Sequence, residues 1–574
     1  MPVHNSQIAE IFNNLADMLE IEGANEFRVR AYRNAARVVG DLPHPVSSMI
    51  ERGEKLTELP GVGKDLAGKI EEIVKTGTLS LLKQEESRLP PGLRQLMSVA
   101  GLGPKRVHAL HEQLGVATIS DLRKAALRGR VSALRGFGKK TEQMIIEELA
   151  GRKEGLKRFK LRAAEEIADS LVVCLRKIDG VGRVEVAGSY RRKKETVGDL
   201  DVLVTCPLTC PVMDGFVAYG DVLKVISKGA TRSSAVFRSG IQVDVRVVPE
   251  ESYGAALHYF TGSKAHNIAV RLRGVKKGLK INEYGVFRGR QRVAGRTEED
   301  VYASVGLPYI QPELRENLGE IEAAERNELP DLITEKDIRG DLHIHTKETD
   351  GRHTILEMAE AARALGYGYI AITDHSKRIA MAHGFDEERL AKRNEEIDRL
   401  NESFKGMLLL KSIEVDILED GSLDLADWAL KGLDLTVCSV HSKFNLSREK
   451  QTERLIRAMD NPYFSILGHP SGRLIDERKP YDVDMERVIE AARQRGCALE
   501  LNAHPDRLDL ADIDCKMARD MGAKIVISTD AHSRADLTLM RFGVAQARRG
   551  WLGPDDVLNT KTWPELKRAL KGDR

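Results

Sequence analysis

Two aspartates, Asp199 and Asp201, stand at alternate positions in DLDVLVT, and a third, Asp244, lies at the centre of GIQVDVRVVP. Both stretches read as strands, rich in β-branched apolar residues. Residues two apart on a strand point to one face. Carboxylates crowded on one face repel one another unless a cation lies between them. An all-oxygen set of this kind suits paired Mg²⁺ (or Mn²⁺) ions that bridge substrate phosphates. Such a pair activates a hydroxyl nucleophile and steadies the leaving oxygen of an in-line phosphoryl displacement. The cations just upstream then have a use: in GSYRRKKE, Ser189 and Arg192 are placed to hold a triphosphate.

A second set of candidates recurs in the C-terminal half. DLHIH supplies His343 and His345, with Asp350 in the following loop; YIAITDH supplies His375 and LLLKSIEVD supplies Glu414. LTVCSVH ends in His441, FSILGHP carries His469, and KIVISTDAH carries Asp530 and His532. ALELN ends near Asn502, with His504 just beyond as a candidate substrate contact. One histidine after a strand is usually a packed or capping residue. Repetition at strand end after strand end argues against that, because catalytic groups in βα barrels come from the C-terminal ends of different strands. Six histidines and three carboxylates can bind a pair or trio of transition metals, and mixed N/O ligation suits Mn²⁺, Zn²⁺ or Fe²⁺.

The elements that position these groups follow from the patterning. The first 150 residues are helical by periodicity, as in IAEIFNNLADML and AARVVGDL. They repeat a Gly-apolar-Gly turn at Gly61/Gly63, Gly101/Gly103 and Gly136/Gly138, followed by Lys64, Lys105 and Lys139 with Lys140. Each reads as a hairpin between helices, with glycines permitting close backbone approach. Amides at the next helix start can then bind a phosphate of a nucleic-acid backbone without reading sequence. Ordinary glycine-capped turns would account for one copy; three copies, each followed by lysine, point to DNA. Residues 310–340 are polar and acidic and read as a linker, after which strands alternate with helices.

Composition bounds the rest. The 574-residue chain is 42% hydrophobic with a formal net charge of +2, which excludes a disordered chain. A patch at 151–162, GRKEGLKRFKLR, carries six cations and one acid. No apolar run is long enough to span a membrane, and the start MPVHNSQIAE lacks the apolar segment of a signal peptide. The six cysteines are scattered; Cys206 and Cys210 lie close but have no second pair, so a reduced cytoplasmic protein is expected.

The stretch GSYRR…GDLDVLV resembles the palm signature of the X-family DNA polymerases, and YFTGSKAHNIAVR and INEYGVF resemble their nucleotide-binding and thumb segments. The resemblance covers about residues 1–316. It implies that Asp199, Asp201 and Asp244 form the catalytic metal triad, and that Gly188, Ser189 and Arg192 contact the incoming triphosphate. It implies too that Tyr259, Phe260 and Gly262 line the sugar pocket, and that Lys264, Asn267 and Arg271 lie around the nascent pair. Lys193 replaces the usual Gly or Glu, and Lys264 stands where the animal repair member has an acid. Lys69 matches the family's Schiff-base lysine for 5′-deoxyribose-phosphate removal, whereas two auxiliary lysine positions hold Arg28 and Asp65.

Residues 339–574 resemble the PHP family of metal-dependent phosphoesterases, whose nine ligand positions all are filled: His343, His345, Asp350, His375, Glu414, His441, His469, Asp530 and His532. The whole order is similar to the bacterial and archaeal X-family polymerases that carry a C-terminal PHP domain. The expected fold is multidomain, α+β and α/β. It comprises all-α helix-hairpin-helix regions at 1–82 (8-kDa-like) and 83–155 (fingers-like), a nucleotidyltransferase palm at 156–250 and a thumb at 251–316. A linker at 317–338 and a distorted (βα)7 PHP barrel at 339–574 follow. The expected function is gap-filling DNA repair synthesis from dNTPs. The PHP centre would act at 3′ ends as exonuclease, 3′-phosphatase or AP endonuclease. A monomer is expected, with DNA as partner. A nucleotidyltransferase acting on RNA or another acceptor, with a PHP phosphatase, is the alternative.

Overall fold

The computed structural model describes residues 5–571 apart from 41, 43–45, 89–92, 94, 95, 98, 100, 101, 135 and 152–157. The chain divides into two compact units, Met1–Lys157 and Arg158–Arg574. Every described element of the first unit is helical. Asn5–Ile21 and Glu26–Gly40 bury Phe12, Leu15 and Leu19 against Tyr32, Ala35 and Val39. Lys64–Thr76 shows how the repeat ends are set: Gly63 is its extended N-cap, Gly77 its left-handed C-cap, and Leu66, Ala67, Ile70 and Ile73 form the buried stripe.

In the second unit the palm is a five-stranded sheet. Its strands are β1 (Val184–Val186), β2 (Asp199–Val204), β3 (Val222–Lys228), β4 (Arg232–Phe237) and β5 (Gln242–Val247), in the order β1-β2-β5-β4-β3. Alternation along β2 sends Leu200, Val202 and Val204 into one core, beneath helix Leu161–Arg176. The opposite face carries Asp199, Asp201 and Leu203, and Leu203 packs against Tyr253, Ala256 and Leu257 of helix Tyr253–Thr261. The carboxylates therefore face the thumb side. The thumb adds helices Lys264–Lys276 and Glu298–Ser304 and a three-stranded antiparallel sheet, Lys280–Asn282, Gly285–Arg288 and Gln291–Ala294. Helix Tyr253–Thr261 backs closely onto Thr297 at Gly254, where a Cβ would lie 2.1 Å from backbone.

The C-terminal region is a parallel barrel of seven strands, the third broken in two. They are β6 (Gly340–Ile344), β7 (Tyr369–Ile372), β8 with β9 (Leu408–Lys411, Glu414–Asp416), β10 (Val437–Ser439), β11 (Ile466–Leu467), β12 (Ala498–Asn502) and β13 (Lys524–Ser528). The bridges His375↔Glu414 and Ile344↔Ala531 join the two sheets and close the ring. Palm and barrel share a core, in which Ile475, Leu508, Leu539 and Phe542 join the palm residues. Lys160–Asp506 (2.6 Å), Arg473–Glu195 (2.7 Å) and Arg541–Glu165 (3.0 Å) flank that core.

Residues 317–338, expected as a linker, are packed. Helix Glu320–Arg326 buries Ile321, Ala323 and Ala324. Glu320 is wholly buried, accepting from the amides of Asn317 and Leu318 (2.7 Å each) and facing His266 Nδ1 at 2.6 Å. An acid in the stretch read as a linker is held in the thumb's interior by two backbone amides and an imidazole.

Candidate active sites

The palm carboxylates converge. β2 and β5 are parallel neighbours, in register so that Asp201 lies opposite Asp244 and Asp199 opposite Gln242. Burial and the charges of Asp199 and Asp244 push the Asp201 carboxyl up to about 6. Burial and Asp244 also raise Asp199. Asp244 accepts from Arg232 Nη2 (3.2 Å) and Gln242 Nε2 (3.4 Å). Arg246 and Arg232 offset part of the charge around Asp201, and Arg158 part of that around Asp199; a divalent cation would relieve the repulsion that remains. Gly188 has φ +67°, and a Cβ there would come within 3.4 Å of Asp201 Oδ2, so the Gly188–Arg191 turn lies against the triad.

The nucleotide-pocket candidates are brought to one neighbourhood. Arg192 donates from Nη1 to the carbonyl of Thr261, beside Gly262, and from Nε to Glu316 (3.0 Å). Gly262 takes φ +71°, ending helix Tyr253–Thr261. Tyr259 and Phe260 meet edge to face at 5.1 Å, and Arg246 lies over Phe260 at 4.4 Å. Asn267 donates to the Tyr259 carbonyl (2.7 Å), and its Oδ1 is buried without a partner among the described residues. Lys264 and Arg271 are on the exposed side of the same helix, and Ser189 is half-buried.

In the barrel, the ligand candidates meet at the strands' C-terminal ends. Eight of the nine fall into three overlapping groups whose donor atoms lie within 4.8 Å of one another: His345, Asp350, His375 and His532; His343, His345 and Asp530; His375, Glu414 and His441. His469 lies outside these groups, with Nε2 3.0 Å from Glu414 Oε1, the same carboxylate that His441 approaches at 3.3 Å. His343 Nε2 and both His345 ring nitrogens are buried without hydrogen-bond partners among the described residues, and His375 Nδ1 lies 2.8 Å from Glu414. Buried orphan nitrogens facing carboxylates match a metal centre. Burial opposes charging of His375 and His441, yet Glu414 with Asp350 or Asp416 lifts them to about 10 and about 9. His345 goes the other way: burial and the neighbouring His532 and His375 push it to about 4. Glu414, despite its burial, is held far below the usual carboxylate range by His441, His343 and His375.

Glu500 and Asp416 are functional candidates that the sequence reading missed. Glu500 faces His343 Nδ1 at 2.7 Å and accepts from the His469 amide at 2.6 Å, while Asp416 faces His441 Nδ1 at 3.2 Å. Each orients an imidazole so that its other nitrogen is presented to the centre. A signal was available, since Asp416 lies two residues beyond Glu414 on β9 and Glu500 two before Asn502 on β12. Asn502 donates to Asp530 (3.1 Å). His504 turns Nδ1 to the Asp506 amide (3.3 Å), within its own loop.

In the first unit, Gly61 (φ +76°) and Gly136 (φ +89°) are left-handed, and Gly103 caps Pro104–Leu114 as Gly63 caps its helix. A Cβ at Gly63, Gly103 or Gly138 would meet nothing within 4 Å, which leaves the backbone approachable. Lys64 and Lys139 are exposed, and Lys105 pairs with Glu26 (2.8 Å) on the surface. Lys69 pairs with Asp65, one of the two positions that depart from the family's lysines. Gly101, and the basic run over 152–157, lie outside the described residues.

Comparison with known proteins agrees with this layout. The DNA polymerase beta palm family matches residues 162–219, the DNA polymerase beta thumb 256–316, and the PHP domain 341–504. A helix-hairpin-helix domain matches 3–79, and a SAM-like helix-hairpin-helix tandem 93–150. The chain is 37% identical to the DNA polymerase/3′-5′ exonuclease PolX of Bacillus subtilis, over 99% of this chain and 100% of that one. This chain belongs to the PolX family, X-family DNA polymerases with a C-terminal PHP domain. It is also 26% identical to rat DNA polymerase lambda, over 54% of this chain and 56% of that one. A probable phosphatase of Thermoanaerobacter sp. (strain X514) is 32% identical over 40% of this chain and 94% of its own length. As in that family, the chain uses divalent metals, binds DNA and draws on dNTPs. No helix among the described residues is long and apolar enough to cross a membrane.

Proposed function

We propose that the chain fills short gaps during DNA repair and clears 3′ ends with its barrel centre, so that one active site prepares the terminus the other extends. The observation that carries this reading is the pairing of Asp201 with Asp244 across adjacent parallel strands, in the same compact unit as the ringed imidazoles of the barrel. Mg²⁺ (or Mn²⁺) at the palm and Mn²⁺, Zn²⁺ or Fe²⁺ at the barrel would supply charge neutralisation and activation of the attacking oxygen. Asp199, Asp201 and Asp244 gather negative charge where a primer 3′-OH and a triphosphate must meet, and Arg192 with the Gly188–Ser189 turn orients the phosphates. Tyr259, Phe260 and Gly262 exclude bulk at the sugar. In the barrel, Glu414 sits among His375, His441 and His469, and Glu500 and Asp416 fix ring orientation, so a terminal phosphate is received by a preorganised cluster. The hairpins of the first unit hold the duplex by its backbone. We propose a monomer working at the nucleoid.

The test is one assay on a gapped duplex ending in a 3′-phosphate, with dNTPs and Mn²⁺. Wild type should clean and extend. Asp201→Ala should clean without extending. His343→Ala should extend only a 3′-OH substrate. Extension by Asp201→Ala at the wild-type rate would end the palm assignment.

A further inference from the structure

Arg549, the last residue of the barrel helix Met540–Arg549, is far in sequence from the palm, yet its guanidinium is buried against palm and thumb. Nη1 donates to the Arg192 carbonyl (2.8 Å) and to Glu316 Oε1 (3.1 Å), and Nη2 donates to Asp512. The same Glu316 oxygen accepts from Arg192 Nε at 3.0 Å, and Arg192 in turn holds the Thr261 carbonyl. A continuous charge relay thus runs Asp512–Arg549–Glu316–Arg192, from the barrel to the edge of the candidate nucleotide pocket. Although burial would raise it, Glu316 is held below the usual carboxylate range by Arg192, Arg549 and Lys194.

The arrangement has two physical effects. Arg549 fixes the Arg192 backbone and, through Glu316, the plane of its guanidinium, at a position where bidentate geometry matters. It also shares the Glu316 charge. Alone, Glu316 would compete with an incoming phosphate for Arg192; with the buried Arg549 on the same oxygen, Arg192 keeps more of its positive field.

We propose that Arg549 is a positioning residue for nucleotide addition: the barrel region sets Arg192 in the triphosphate pocket through Glu316. This rests on reading Arg192 as a triphosphate contact. The experiment is steady-state gap filling with the full chain. It compares wild type, Arg549→Met, Arg549→Lys, Arg192→Ala and the Arg192→Ala/Arg549→Met double variant. Losing a charge-assisted hydrogen bond at this point predicts a dNTP KM raised roughly tenfold in Arg549→Met, with kcat near wild type. Arg549→Lys, which keeps the cation, should recover much of the loss. Hydrolysis of a 3′-phosphate by the barrel should be unchanged in both Arg549 variants, which shows them folded; should the methionine variant not fold, the lysine variant carries the test through a smaller KM rise. In the Arg192→Ala background, Arg549→Met should add nothing, because its only route is Arg192. Additive KM effects, or an unchanged KM in both Arg549 variants, overturn the proposal while leaving Arg192 in the pocket. An unchanged KM in Arg192→Ala removes the reading of Arg192 itself, and the proposal with it.

Discussion

Replacing Asp201 by asparagine should stabilise the metal-free protein and weaken its response to Mg²⁺. Burial and the two neighbouring carboxylates lift Asp201 from an ordinary 3.8 to about 6. A shift of that size corresponds to about 3 kcal/mol against the ionised form, which partial exposure trims to about 2 kcal/mol. The sign follows from linkage. A carboxyl whose folded value is raised binds its proton more tightly in the folded state, so folding is favoured below the unfolded value and that benefit is lost as pH rises through about 6. Asparagine escapes this loss. Its advantage should therefore be small near pH 4, grow until about pH 6 and stay level above. Thermal unfolding of chelated protein at several pH values reads it, as a rise of about 2 °C at pH 8 for a unit of this size. Added Mg²⁺ should raise the wild-type transition, because binding to the native state stabilises it by mass action, and should raise the variant's much less. Equal Mg²⁺ stabilisation of both proteins, or no gain at pH 8 without metal, would refute the idea that the three carboxylates are in electrostatic conflict over one ion site.

Three further outcomes are expected. In metal-free protein His375, His441 and His532 are raised to about 10, 9 and 9 by the neighbouring carboxylates Glu414, Asp416 and Asp350 despite burial, so they are charged at pH 7. Mn²⁺ uptake must expel those protons, giving binding heats that depend on buffer ionisation at pH 7 and much less at pH 10; buffer-independent heats would contradict the ligand set. Glu500→Gln or Asp416→Asn should weaken Mn²⁺ binding and 3′-end hydrolysis by roughly 10- to 100-fold with gap filling intact, which metal titration and the two assays separate. Lys64→Ala and Lys139→Ala should each lower the salt slope of duplex binding by about 1, without changing preference among sequences.

Eight of the nine barrel candidates come within 4.8 Å of one another in groups at the strand ends, because a parallel βα barrel puts the C-terminal end of every strand at one mouth, so residues at equivalent ends meet whatever the intervening loops do. The carboxylate pair on β2 was legible for a similar reason, the two-residue period of a strand. That Asp244 would stand opposite Asp201 was not: it depends on β5 lying parallel beside β2 although β3 and β4 intervene in the chain, and strand order is a property of the packed sheet. Glu500 and Asp416 share a strand face with positions already noted, but strand period alone does not say what a carboxylate there does; the imidazole 2.7 Å or 3.2 Å away does. Glu320 misled in the opposite direction. It lies in a polar, acidic stretch that reads as a linker, but its carboxylate is met by two amides and His266 inside the thumb. Each miss has the same physical origin. Composition reports what a segment would favour by itself, whereas a buried ionisable group is decided by partners that the fold brings from elsewhere, 157 residues away for Glu500 and His343, and 233 for Arg549 and Glu316. Those distant partners are where the palm and barrel became one compact unit, and where a change in one should be felt in the other.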